Sequence, residues 1–360
     1  MSLMDESWEK IFKRGNLLEK IEKQGFFTIS PEELKKLGDY REPRLLAKID
    51  NIRSRPEIFK RYGLSILSIQ NDLYLVFKDE DLKTFYQLDK IYDETVAEEY
   101  DPARDYRTFQ SLSLNEISSE SQAIDFAHLI SLIRFFTGER ELFVTIRGRL
   151  RSGNFSFTIP PNDLPVQVSG VQIEVDAGFE SPSKIYLIEA KMGRVADFNI
   201  RQLYYPYRDW SLKSTNEIIP IFFIYTNSLF YFFQFTFGDE HQYGKLKLVK
   251  SRCYIVNEKK KLTVDFKTIV KNDVEPEPDV PYPQANDLDK VIDIVTNNKA
   301  GLTTKSAIAK FFNFEQRQGD YYANAAIYLG LLKRISGSAE FALTREGQYI
   351  SKSQSRGHRN

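Results

Sequence analysis

Two short apolar runs end in acids: Val171-Gln-Ile-Glu-Val-Asp176 and Ile185-Tyr-Leu-Ile-Glu-Ala-Lys191. Side chains alternate faces along an extended strand, so Glu189 and Lys191 share a face while Ala190 enters the packing. By the same alternation Gln172, Glu174 and Asp176 lie together, opposite Val171, Ile173 and Val175. Folding the two strands together gathers two or three carboxylates and one ammonium. Such a group can hold Mg²⁺, or Mn²⁺ in its place, and act on a phosphodiester. Carboxylate oxygens suit a hard divalent cation that keeps several waters. The ion polarises the phosphoryl oxygen and activates a bound water, and a lysine offsets charge on the phosphate. The bland alternative is that Asp176 and Glu189 cap exposed strand ends, with Lys191 an ordinary ion-pair partner.

The elements that must position these groups are bounded by composition. A chain of 360 residues predicts two or three domains, and 42% hydrophobic with 14% aromatic residues predicts an ordered globular protein. Fifty basic and fifty acidic side chains cancel, which argues against a protein that simply coats nucleic acid but leaves local basic surfaces open. The single cysteine, Cys253, rules out an intramolecular disulfide framework and predicts a reducing, cytoplasmic setting. With only three scattered histidines, a Cys/His zinc site is not available, leaving carboxylates as the metal ligands on offer. The N-terminal residues are charged and helix-like, so no signal peptide is expected. Ile218–Phe237 is apolar enough to suggest a membrane span. Pro220, the polar turn Thr226-Asn227-Ser228 and Gln234 instead predict two buried strands around a turn, and no membrane partner.

Along the chain, residues 1–110 are predicted as a separate α+β domain, with helices at 7–23 and 31–37 and a strand pair at 66–77. The region 111–270 begins with a long amphipathic helix, Glu116–Phe136. Strands are predicted at 142–150, 154–159, 172–179 and 184–192, a helix at 197–205, and aromatic strands at 219–225 and 229–237. Four prolines among acids make 271–287 a stiff linker. Residues 288–352 then show three helical stretches and a hairpin, the order of a winged helix.

A helix, antiparallel strands, Asp-x12-Glu-x-Lys, then helix and strand resembles the PD-(D/E)XK nuclease superfamily over roughly 116–226. The fold class this implies is α+β to α/β: a central mixed sheet flanked by helices, a restriction-endonuclease-like core. Asp176 matches the first acid, although Val175 stands where a proline is usual; Glu189 and Lys191 match the rest. The resemblance implies that Asp176 and Glu189 bind Mg²⁺ and that Lys191 touches both the phosphate and the attacking water. Glu120, near the start of the first helix, and Glu174 compete as the third acid. Gln202 begins Gln-Leu-Tyr-Tyr-Pro-Tyr-Arg208, where related nucleases carry a supporting Gln and Tyr; Pro206 occupies the usual Tyr position and is expected to end or kink the helix. The tyrosines read equally as a packing face. Arg147, Arg149 and Arg151 alternate as a comb that either grips a phosphate backbone or is a solvated strand face.

In the C-terminal segment the second helix of a helix-turn-helix supplies Gln316, Arg317, Gln318, Tyr321 and Asn324, residue types that read base edges. Lys305, Arg334 and Arg345 are candidate phosphate contacts. From Ala285 to Asn360 there are 11 Lys or Arg against 7 Asp or Glu, a net +4. Winged helices also mediate protein contacts, so this assignment stays open. Taken whole, the chain resembles a type II restriction endonuclease. That resemblance implies cleavage of double-stranded DNA at a specific sequence, a homodimer matching a palindrome, and a cognate methyltransferase acting on the same site. The alternatives are a repair or methylation-dependent nuclease of the same superfamily, and a non-catalytic winged-helix regulator.

Overall fold

The N-terminal run predicted as one helix forms two, α1 (Leu3–Gly15) and α2 (Leu17–Gln24), because Asn16 between them takes a left-handed φ of 50°. The computed structural model describes all of the chain except residues 1, 40–41, 104–105, 107–108, 110, 113, 115–116, 161–162, 257–277, 279, 314 and 355–360. After β1 (Phe26–Ile29) come α3 (Pro31–Leu37), α4 (Pro43–Ala47) and α5 (Glu57–Arg61). The predicted strand pair is β2 (Leu64–Gln70) and β3 (Leu73–Lys78), followed by β4 (Phe85–Gln87), α6 (Asp89–Glu94) and β5 (Ala97–Tyr100).

The long helix expected over 116–136 is also two: α7 (Glu120–Leu129), capped by the Ser119 hydroxyl, and α8 (Leu132–Thr137). Ser131, at a φ of 63°, breaks them; residues 115–116 lie outside the described residues. Then come β6 (Phe143–Arg151), β7 (Asn154–Ile159), β8 (Leu164–Ser169), β9 (Gln172–Glu180) and β10 (Lys184–Met192). The segment expected as one helix over 197–205 is a short strand, β11 (Asp197–Asn199), and a longer helix, α9 (Arg201–Lys213). Pro206 neither ends nor splits α9. A proline inside a helix costs about 3 kcal/mol, but burying side chains the size of Leu203, Tyr204 and Tyr205 returns about 1.5–3 kcal/mol each, and all three are buried. Packing wins.

The apolar stretch near 218–237 is β12 (Glu217–Thr226) and β13 (Leu229–Phe237), joined by Asn227 and Ser228, both at positive φ, the two-residue turn that suits strand twist. Among the described residues no helix is long and apolar enough to cross a membrane. With β14 (Leu246–Val256), these strands build a seven-stranded mixed sheet in the order β5-β14-β13-β12-β10-β9-β6. β10 runs parallel to β12, and the crossover between them carries α9. Helices α7 and α8 cover one face, where Ala123, Phe126 and Ala127 meet Tyr186, Ile188 and Ala190. On the other face α9 is packed between this sheet and a five-stranded one, β1-β3-β2-β8-β7.

These pairings correct the expectation of a separate domain at 1–110. β5 pairs with β14, β4 with β11, and β2 meets β8 through Gln70 and Ser169. The N-terminal strands therefore complete sheets whose other strands come from the middle of the chain, which covers edges that would otherwise stand open.

Of the expected linker, residues 271–277 and 279 lie outside the described residues. The C-terminal segment comprises α10 (Leu288–Thr296), α11 (Lys305–Phe311), α12 (Gln316–Tyr328) and a hairpin of β15 (Leu332–Arg334) and β16 (Phe341–Leu343) around their own core. A further helix, α13 (Arg345–Gln354), was not anticipated.

This segment is fastened to the seven-stranded sheet by Asp293 of α10. Its carboxylate is 3% exposed, accepts from the Thr226 hydroxyl at 2.7 Å and from the Asn227 N–H at 3.1 Å. Burial pushes its pKa up to about 7, against the lowering pull of those two bonds, with Asp289 and Asp287 adding repulsion. A carboxyl whose folded pKa is raised contributes most when it is protonated in both states, and that contribution falls as pH rises from its ordinary value towards about 7. Wild-type melting should therefore drop over that window more steeply than that of Asp293→Asn. Equal slopes in the two proteins would show that Asp293 is not the titrating group.

Candidate active site

The two acid-ended strands meet as their alternation requires. In the β9–β10 ladder Ile188 stands opposite Ala177, so one step further along each strand lie Asp176 and Glu189. There the backbone ladder stops, and the Asp176 carboxylate takes its place: Oδ2 accepts the Ala190 N–H at 2.8 Å. Ala190 is fully buried, as alternation predicts. Glu189 is nearly so, and its Oε1 accepts from Lys191 Nζ at 2.5 Å and from Gln202 Nε2 at 2.6 Å. Gln202 reaches it from the first turn of α9, which the crossover sets beside β10.

Electrostatics follow from this burial. Desolvation pushes Glu189 up to about 8, Lys191 pulls it down, and Asp176 adds repulsion. Asp176 is also raised, by burial first, with Lys191 and the Ala190 N–H opposing. Burial alone would lower Lys191, but attraction from Glu189, Glu120 and Asp176 outweighs it and keeps it a firm cation. One ammonium thus faces three acids, a deficit of positive charge that a divalent ion would fill.

The donor set fits such an ion in part. The hydrogen bonds of Asp176 and Glu189 engage one oxygen of each, and the buried Oε1 of Gln202 has no hydrogen-bond partner. Two carboxylates plus waters suit Mg²⁺. Among the described residues, however, no group of three or more His, Cys, Asp or Glu side chains is close enough to hold a metal, so a third acid is not gathered in. Glu120, half-buried at the start of α7, is raised by burial and feels both Lys191 and Asp176. Glu174 is exposed and pairs with Arg149 at 3.6 Å. Of the two, Glu120 is the one that shares the electrostatics of Lys191.

These groups open into a cavity of about 780 Å³. Its walls also include Lys48 and Asp50 from the N-terminal region, Arg201 of α9, and Lys310 to Asn313 from the C-terminal segment. Sequence reasoning missed all of these. Arg201 stands next to Gln202 and was the one with a signal; Lys48 and Asp50 lie in a run without periodicity.

Other expected residues fall elsewhere. Tyr204 and Tyr205 are core: their hydroxyls donate to the backbone oxygens of Glu240 and Ser68. The arginine comb is irregular, because the β6–β9 register shifts on either side of Ile146. Arg147 turns to Asp125 of α7, whereas Arg149 pairs across to Glu174. On α12, Gln316 and Arg317 are exposed, Arg317 lying 5.3 Å from the Tyr321 ring, and Gln316 donates to the Ser306 hydroxyl at 2.6 Å. Gln318 and Tyr321 are half-buried, while Lys305 and Arg345 are exposed. Asn324 is not a free reading residue, being buried with its Oδ1 bonded to Arg334 at 2.6 Å. The helix turns that side to the hairpin.

Three protein families match successive parts of the chain, each described as a domain of unknown function: DUF6996 over residues 5–76, DUF6997 over 81–255 and DUF7226 over 290–360. No curated protein and no solved structure gives a match. The strands that carry Asp176, Glu189 and Lys191, and the helix that carries Gln202, all belong to the DUF6997 match.

Proposed function

We propose that this chain is a Mg²⁺-dependent DNA endonuclease with a PD-(D/E)XK active site, acting as a type II restriction enzyme whose winged helix reads sequence. The observation that carries the reading is the convergence of Asp176 and Glu189, from neighbouring strands, with Lys191 in one cavity. Asp176 and Glu189 are the residues that would hold the ion. When bound, Mg²⁺ or Mn²⁺ supplies neutralising charge at the phosphate and an acidified water. Lys191, kept cationic by its acidic neighbours, offers charge to a phosphate oxygen. Gln202 fixes the orientation of Glu189, and Glu120 is the auxiliary acid. The exposed Gln316 and Arg317 suit base edges in a major groove. A two-fold dimer would match a palindrome, and a methyltransferase would protect the same sequence in the cell.

Purified protein incubated with methylated and unmethylated plasmid, in Mg²⁺ or Mn²⁺, provides the test. Discrete fragments are expected, lost on chelation and in Asp176→Asn. Binding without cleavage under every condition would instead support a DNA-binding regulator.

A further inference from the structure

The C-terminal segment does not merely accompany the catalytic strands; it is fixed to them. Besides the Asp293 bonds to Thr226 and Asn227, the Asn227 side-chain amide donates to the Asp289 carbonyl at 3.3 Å. Gly193, two residues beyond Lys191, sits so close to Phe312 that a Cβ there would stand 2.7 Å from the ring. Arg194 pairs with Asp289 at 3.9 Å and with Asp93 at 3.5 Å, and lies 4.4 Å over the Tyr92 ring. Four separate contacts thus clamp the segment to the ends of β10 and β12.

The clamp has a geometric result. The turn between α11 and α12 becomes a wall of the cavity that holds Glu189 and Lys191. Lys310 on that wall is exposed and has no carboxylate within ion-pair distance among the described residues. Gln316 and Arg317 follow three or four residues after Asn313, at the opening of α12. A cavity of about 780 Å³ is roughly 9 Å across, about three base-pair rises at ~3.4 Å each.

The geometry points to cleavage at a fixed position inside, or directly beside, the sequence that α12 reads, with Lys310 holding the same stretch of DNA backbone that Lys191 acts on. This inference rests on the nuclease reading and adds to it the position of the cut. An enzyme whose reading module hung on a free tether would cut at a distance or at scattered positions; one with a clamped module cannot.

The experiment maps two cuts on one DNA. Cys253 is the chain's single cysteine and is fully buried, so a thiol introduced at an exposed position takes an iron–EDTA label alone. Glu315→Cys is suitable because that side chain makes no capping bond to α12; Asn313→Cys is the second position should the first disturb binding. Radical cuts from the label, mapped without added Mg²⁺, are compared with the unlabelled protein's own cuts in Mg²⁺. Coincidence within about half a helical turn, some five base pairs, is expected. Separation by more than about one turn, ~10 base pairs, or own cuts scattered around a fixed label pattern, would overturn the inference while leaving the nuclease standing. Label cuts with no enzymatic cuts would remove the nuclease reading itself, and this inference with it.

Discussion

Lys191→Ala should lose about 10²–10³-fold in turnover, the usual cost of removing one preorganised electrostatic contact to a developing oxyanion, while DNA binding is largely kept. Binding should survive because Lys191 is one buried cation among several around the cavity, including Arg149, Arg201 and Lys310. A second consequence separates this from simple unfolding. Lys191 is the chief group pulling Glu189 down from the value that burial imposes. Without it Glu189 rises above about 8, protons compete better with the ion, and the metal requirement of any residual activity moves to higher pH. Rates measured against pH at several Mg²⁺ concentrations would show this. An unchanged rate in Lys191→Ala would sink the catalytic assignment.

Gly319→Val should damage the C-terminal segment more than any surface change there. Gly319 lies in the first turn of α12 and is buried against α11. A Cβ at this position would come 2.3 Å from the Lys305 carbonyl oxygen and 3.1 Å from the Ala309 nitrogen, both backbone atoms. Backbone cannot swing aside as a flexible side chain can, so the two helices must separate. Overpacking of this kind costs about 1–3 kcal/mol, which for a segment this small lowers melting by roughly 10 °C. Sequence-selective binding should fall with it, because α11 and the start of α12 form the reading surface. Calorimetry on the full chain, followed by binding to the cleaved sequence, would check both; a melting profile like wild type would contradict the close approach.

The catalytic trio was legible because strand alternation is a two-residue period that survives any tertiary arrangement. Gln202 was legible from its place after the second strand. What the sequence hid was long-range. Asn16 and Ser131 break helices by taking left-handed backbone, which the local apolar pattern does not announce. Pro206 looked like a helix end and is held inside α9 by buried aromatic packing. The pairing of β5 with β14 spans much of the chain, and no local feature of Ala97–Tyr100 names its partner. For the same reason Lys48, Asp50 and Lys310 reach the cavity without any spacing relation to Asp176.

The way the β9–β10 ladder ends has a consequence for how this motif can vary. Asp176 faces Glu189 because of sheet register, and register is set by the pairs from Ile185 opposite Glu180 to Ile188 opposite Ala177. The twelve residues between the acids are therefore a hairpin length and not a chemical requirement. Chains with a longer turn at Ser181-Pro182-Ser183 would carry the same site under a different spacing. Loss of a single residue within either paired segment would instead rotate one acid to the opposite face of the sheet.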